Sequence, residues 1–416
     1  MNDTDHNPGH SPCPDVDAPI RSIPDARGSS TLLKIGGLLA VIGLIASLTG
    51  GLMDSERIRT AYGYLWGVTF IWSVSLGALL LVALQHLTKS IWSVVFRRVM
   101  EMLAAPVWVV AILFVPILLI AVLGHDMGMF PWLVLDHTNH ILNDKASFLN
   151  LPFFLARAGI YFAIWIGFST FFVRKSLAQD KKEGTVSPTL WMRRLSAPFI
   201  LLFAVTITFA SVDWLMSLEP LWFSTMFGVY VFAGMMVSAL AAVTLFSLLF
   251  SRTGRMGNGV FGDDQLYSLG TLMFAFTVFW AYIAFSQYML IWYANLPEEN
   301  FFMVQRLSGA WQWVSLALVI VRFVVPFLAL LSRPAKTNRP RLIAVATLIL
   351  LGQLLDLYWL IMPNSHSDGP LTSWQELGPL AWHIGIFVLA ISLFLKRHKV
   401  VPTGDPLLKE SICFRL

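Results

Sequence analysis

Residues 209–232, FASVDWLMSLEPLWFSTMFGVYVF, are apolar almost throughout, yet they hold Asp213, Glu219 and Pro220 close together. Crossing the hydrocarbon core of a bilayer takes about 20 mostly apolar residues in helical form. Runs of that length flank this stretch on both sides, so Ser217–Leu218–Glu219–Pro220 reads as a very short turn between two membrane-spanning helices. Pro220 suits the first turn of the second helix, where a missing N–H costs nothing. Glu219 just before it favours the positive helix start and reads as a solvated cap. Asp213 lies more than a turn inside the first helix, so it needs a partner or water.

The whole chain supports that reading. Of its 416 residues, 56% are hydrophobic and 13% charged, where a soluble protein carries about 25% charged residues. Mean hydropathy is +0.69. The fold class is therefore all-α integral membrane, because a lipid-exposed open strand would leave its backbone unpaired. Ten stretches qualify as spans: 31–52, 62–86, 104–124, 152–173, 195–218, 221–250, 266–293, 309–331, 342–362 and 377–395. They form a membrane domain over residues 31–395. Residues 1–30, rich in Asp, Pro, Ser and Gly, read as a disordered tail without a signal-peptide core, and residues 396–416 as a second tail. Cys13 and Cys413 sit in those tails, so the sequence offers no disulfide framework, iron–sulfur ligand set or CxxCH haem motif.

Lysine and arginine set the orientation. The two tails and the even-numbered connections hold 23 of the 29, the odd-numbered connections hold 4, and Arg157 and Arg322 lie inside helices. Both termini are expected in the cytoplasm. The longest outer loop, residues 125–151, carries His125, Asp126, Asp136, His137, His140, Asp144 and Lys145. Its HTNH spacing fits no zinc pattern, and no cysteine helps; a wet, partly helical loop that meets a partner is expected. The inner loop SRTGRMGNGVFGDD lacks G-K-[ST] and is a flexible connector, not a P-loop. The net charge of +5 resides in loop residues and gives no sign of nucleic-acid binding.

Ionisable groups inside spans cost ~2.5–3.5 kcal/mol at a helix centre, so each invites a functional reading. They are Arg157 on helix 4, Asp213 on helix 5, Arg322 on helix 8, Asp356 on helix 9 and His383 on helix 10, with His86 at the inner end of helix 2. Arg157 and Asp213 fall at similar depth near the outer face. Arg322 and Asp356 differ by roughly 10 Å in depth at the helical rise, so they meet only through the arginine's reach or a bridging water. An Arg–Asp pair on helices 4 and 5, repeated on helices 8 and 9, fits a duplicated four-helix unit; two independent structural ion pairs fit equally. Helix 7 is crowded with aromatics, which packing and lipid contact explain. The alternative is a quinone headgroup slot, with Gln287, Tyr288 and Trp280 as its candidates. His86 belongs to the inner end and His383 to the outer half, so they cannot share one haem iron.

Three segments resemble a known family: DWLMSLEPLWFSTMFGVYVFAG (213–234), FAFTVFWAYIAFSQYMLIWYANLPEE (274–299) and ILNDKASFLNLPFFLARAGIYFAIW (141–165). They are similar to the F subunits of alternative complex III, a branch of the NrfD/PsrC-like membrane subunits. Leu221 and Asp144 stand where members often carry histidine. The resemblance implies two tandem four-helix bundles, helices 2–5 and 6–9, flanked by one helix at each end. It implies a place in a respiratory quinol:cytochrome c oxidoreductase of the bacterial inner membrane. Multihaem cytochrome c, an iron–sulfur protein and a sister NrfD-like subunit would be the partners, and the haem c and iron–sulfur clusters would belong to them. This chain would carry no redox centre, bind no metal and supply scaffold and an outward proton half-channel. Asp213, Asp356 and His383 would carry protons, with Arg157 and Arg322 tuning them. The rival readings are a quinol-binding subunit facing the quinol pool, a pure scaffold, and a secondary transporter. Against the last, no Gly/Pro-broken helix pair marks a midplane substrate site.

Overall fold

The computed structural model describes residues 17–25, 28–53, 57–124, 128–134, 140–181, 185–366 and 369–416. Among them there is no strand, and ten helices are long and apolar enough to cross a membrane. The chain is a multi-pass, all-helical membrane protein. The spans are α1 (Ser30–Leu52), α2 (Arg57–Leu87), α3 (Val94–Leu123), α4 (Leu151–Gln179), α5 (Ser187–Leu218), α6 (Phe227–Arg252), α7 (Asp263–Ala294), α8 (Trp311–Leu330), α9 (Arg339–Asn364) and α10 (Trp374–Arg397).

Local chemistry starts several of them. Asn150 accepts from the Phe153 N–H ahead of α4, and Asn338 accepts from the Arg341 N–H ahead of α9. Each has proline in the first turn, where no N–H is missed. At the start of α10 the Glu376 side chain accepts from the Ser373 N–H at 2.8 Å.

Burial identifies the centre. In α2 and α6, 89% and 83% of the apolar window is buried, against 17% in α1. α2 and α6 pack on each other; α2 also touches α3 and α5, and α6 touches α7 and α9. Between these, α3 packs on α4, α4 on α5, α7 on α8 and α8 on α9. α1 lies along α10, which in turn leans on α2. That contact is close because a Cβ on Gly43 or Gly385 would collide with the facing backbone.

Three features differ from the sequence reading. First, α3 begins at Val94, ten residues earlier than expected, with a break at Pro106 between Val94–Ala104 and Val107–Leu123. Arg97, Arg98 and Glu101 therefore lie in the helix and not in a loop. Second, part of the N-terminal tail is folded: Asp17–Arg21 is helical, Asp17 pairs with Lys409 at 2.9 Å, and the Ser22 hydroxyl accepts from the Asn258 N–H. The described tail segments thus meet at one end of the bundle, the terminal face. Third, Pro220 is not in the first turn of α6, which starts at Phe227. Residues 219–226 form an irregular link that Lys145 pins, its Nζ donating to the Pro220 and Trp222 carbonyls at 2.7 and 3.2 Å. Cys413 is disulfide-bonded.

Candidate functional site

The five charged candidates fall in three places. In the first, α4 carries Arg157 early in its course and Tyr161 one turn later on the same face, while α5 brings Asp213 in its last turns. Arg157 donates from Nε and Nη2 to the two Asp213 oxygens at 2.8 and 2.6 Å. This two-pronged geometry is the strong form of a guanidinium–carboxylate pair. The Tyr161 hydroxyl donates to Asp213 Oδ2 at 2.9 Å, and Arg157 Nη1 donates to the Phe148 carbonyl at 2.9 Å. The guanidinium is also held over the Phe148 and Phe153 rings, 3.8 and 4.2 Å from their centroids. Asp213 is wholly buried. Beneath it, Trp72, Trp165 and Trp214 meet with ring centroids 5.5–6.1 Å apart.

The second centre draws on four helices. Arg322 of α8 stands 3.5 Å from Asp356 of α9 and bonds the Gln353 side chain one turn before it. The Tyr230 hydroxyl of α6 donates to Asp356, and the Arg322 guanidinium lies 4.7 Å from the Trp280 ring of α7. Arg322 sits in a π-helical turn, Ile320–Val324, within α8. The cause is Pro326: it has no N–H for the carbonyl four residues back, and a wide turn accommodates the missing bond. Gly234 makes room for the cluster, since a Cβ there would stand 2.8 Å from Arg322 Nη2 and 3.2 Å from Gln353 Oε1. The arginine's reach is enough to join the two charges directly.

His383 stands apart. Its Nδ1 is 2.6 Å from the Pro379 carbonyl, its ring meets Tyr64 edge-on at 4.3 Å, and it fills the space left by Gly67 on α2. It makes no hydrogen bond or ion pair with Asp213 or Asp356. The structure therefore joins four of the charged candidates into two pairs and leaves the histidine outside both.

A cavity of about 720 Å³ opens beside the second centre. Trp280, Gln287 and Tyr288 line it, with Ser315 of α8 and Tyr230, so it shares a phenol with the Asp356 cluster. Phe302 and Met303 of the short helix Pro297–Leu307 also line it. Trp222 stacks on Phe302 at 3.8 Å, and Arg306 donates to the Trp359 and Leu360 carbonyls at the end of α9. The exposed Tyr282 and Phe285 line the cavity too, so it opens at the surface of the bundle.

Glu219 is not the solvated cap that its position suggests. It is partly buried, and that burial pushes its carboxyl above the usual range, opposed by the charge of Arg306. Burial likewise lowers Arg306, opposed by Glu219. Of the loop histidines, His140 lies on the short helix His140–Lys145; His125, Asp126, Asp136 and His137 lie outside the described residues. No cluster of three or more metal-ligating side chains occurs among the described residues.

Sequence reasoning missed Tyr161, Tyr230 and Gln353. For Tyr161 and Gln353 a signal existed: each lies three or four positions from a charged candidate on its own helix, the spacing of same-face neighbours. Against known proteins, the chain matches no protein-family model and no curated protein.

Proposed function

We propose that the chain is a non-redox membrane subunit of a bacterial quinol:cytochrome c oxidoreductase, supplying scaffold and an outward-facing proton half-channel. The observation that carries this reading is the pair of buried Arg–Asp–Tyr centres, Arg157–Asp213–Tyr161 and Arg322–Asp356–Tyr230. On this reading helices α2–α5 and α6–α9 are two tandem four-helix bundles with one centre each, both termini are cytoplasmic, and multihaem cytochrome c, iron–sulfur and sister NrfD-like subunits are the partners. The motif resemblance over residues 141–165, 213–234 and 274–299 supports the choice of complex.

The chemistry follows from the atoms. Asp213 Oδ2 touches both a guanidinium N–H and a phenol O–H, so a proton can pass between the phenol and the carboxylate over a single hydrogen bond. When Asp213 is neutral, Arg157 keeps the Phe148 carbonyl and two ring faces, so its charge stays supported. Asp356 has the same donor types around it, in a looser arrangement.

A second reading, quinol binding by this chain, is favoured by one observation: the cavity of about 720 Å³ beside Tyr230, within the ~300–1,000 Å³ range of small-molecule sites. Photolabelling with an azidoquinone would place label on Gln287 or Tyr288 if it holds. The principal test is proton release during quinol oxidation by the assembled complex carrying Asp213→Asn with Arg157→Gln. Assembly with impaired release supports the half-channel. Full coupled turnover would reduce Asp213 to a structural partner.

A further inference from the structure

A third buried polar cluster lies at the terminal-face end of α2–α5, away from both centres described above. α3 supplies Arg97, Arg98 and Glu101, α2 supplies His86, α4 supplies Ser176 with Asp180 just past its end, and α5 supplies Arg193. His86, Arg97, Arg98 and Glu101 are all buried, Glu101 completely. Some pairs are plain: Arg98 Nη2 to Asp180 at 2.8 Å, and Arg97 Nη1 to Asp405 of the C-terminal segment at 2.5 Å.

Much of the cluster nevertheless lacks hydrogen-bond partners among the described residues. Seven buried polar atoms have none there: His86 Nε2, Arg97 Nε, Arg98 Nε and Nη1, both Glu101 oxygens and Arg193 Nε. Arg98 Nε is 3.1 Å from Glu101 Oε2 but off the hydrogen-bonding direction. Buried polar groups in native proteins find partners in protein or ordered water. Several donors and acceptors gathered in one place are the setting in which buried waters bind.

The cluster reaches the protein surface through Asp180. A depression of about 1060 Å³ on the terminal face is lined by Asp180, Lys181, His398 and Thr403. Asp180, with its side chain 20% exposed, stands between that depression and Arg98. The C-terminal segment lies across this point. The Gly404 N–H donates to Asp180 at 3.1 Å, and Asp405 holds Arg97. Gly404 approaches so closely that a Cβ would fall 2.6 Å from the Asp180 Cα.

We propose that this cluster is a hydrated proton site in which Glu101 exchanges its proton with water arriving past Asp180, under a strap formed by Gly404 and Asp405. The facing charged and titratable groups are His86, Arg97, Arg98, Asp180, Arg193, His398 and Asp405. α6, α10 and the short helix Leu408–Ile412, which also touch the start of α3, bring Arg252, Lys396–Arg397 and Lys409–Glu410 on this face. As the inner counterpart of Asp213, the site rests on the half-channel reading; its hydration and exchange do not.

Infrared difference spectroscopy tests it, on the purified full-length chain in lipid nanodiscs with pH and H2O/D2O jumps. The expected result is a carboxylic-acid band that appears on acidification, shifts in D2O, disappears in Glu101→Gln and moves in Glu101→Asp. It should persist in Asp213→Asn, which separates this site from the outer centre. A Glu101 signal that stays carboxylate, or never exchanges, would make the cluster a static ion-pair lock and overturn the proposal. Should Glu101→Gln fail to fold, Asp405→Asn keeps the helices intact and loosens the strap. It should speed deuterium exchange of the Glu101 band several-fold, and an unchanged rate would overturn the gated route. No partner or quinol is needed, so the outcome is independent of whether the proposed complex exists.

Discussion

Asp213→Asn keeps the shape of the side chain and removes its charge, which makes it the sharpest probe of the first centre. The carboxylate accepts two bonds from Arg157 and one from Tyr161. Bonds to charged groups contribute ~1.5–3 kcal/mol each, and breaking a buried pair by removing one partner costs ~3–5 kcal/mol in soluble proteins. Two features pull the figure to the lower end. The amide oxygen can still accept one bond, and Arg157 keeps the Phe148 carbonyl and two ring faces, which are worth ~0.5–2 kcal/mol as cation–π contacts. The expected loss is therefore about 3 kcal/mol. Adding Arg157→Gln removes the stranded charge and should recover about 2 kcal/mol of it. A double-mutant cycle, read by reversible unfolding of the full chain in mixed micelles, measures this coupling. Effects of Asp213→Asn and Arg157→Gln that simply add, within about 0.5 kcal/mol, would refute the account, because neighbours sharing these bonds cannot be independent.

Gly234→Ala should destabilise by about 1–3 kcal/mol by driving a methyl against Arg322 and Gln353; wild-type stability in the same unfolding assay would mean that the cluster yields freely. Glu219→Gln should change the pH dependence of stability. Burial raises the folded carboxyl above its ordinary value of 4.5, so the folded state holds the proton more tightly, and this group's contribution to stability falls as pH rises through a window starting near 4.5. The variant should lose that slope and be more stable than wild type at neutral pH, with no difference below the window; Tm against pH checks it, and a retained slope would contradict it. For topology, a reporter fused after Leu416 should be active only in the cytoplasm and one inserted near Asn143 only outside. The reverse pattern would overturn the orientation.

Much of this architecture was legible in the sequence because membrane helices must bury or face lipid with nearly every side chain. A lone Asp213 or Arg157 then stands out, and matching depth was enough to pair them. The same logic failed for Arg97, Arg98 and Glu101. Three charges in eleven residues read as a loop, whereas the helix of Val94–Ala104 hides them against α2, α4 and the C-terminal segment. Tyr230 was out of reach for another reason: it bonds a residue 126 positions away, and an aromatic in an apolar span carries no mark of its partner. Glu219 looked like a cap because the sequence shows where a helix could start, not that α6 waits until Phe227. The cavity beside Tyr230 depends on how the helix Pro297–Leu307 folds over α7 and α8, a matter of tertiary packing that no local pattern records.

The most direct measurement is the polypeptide and haem content that co-purifies with the tagged full-length chain from its native membranes under mild detergent. The account expects c-type haem and an iron–sulfur protein in fixed proportion to the chain, quinol-driven reduction of that haem, and no haem or iron once the chain is stripped of partners. A chain that purifies alone and by itself catalyses solute uptake in vesicles would contradict it.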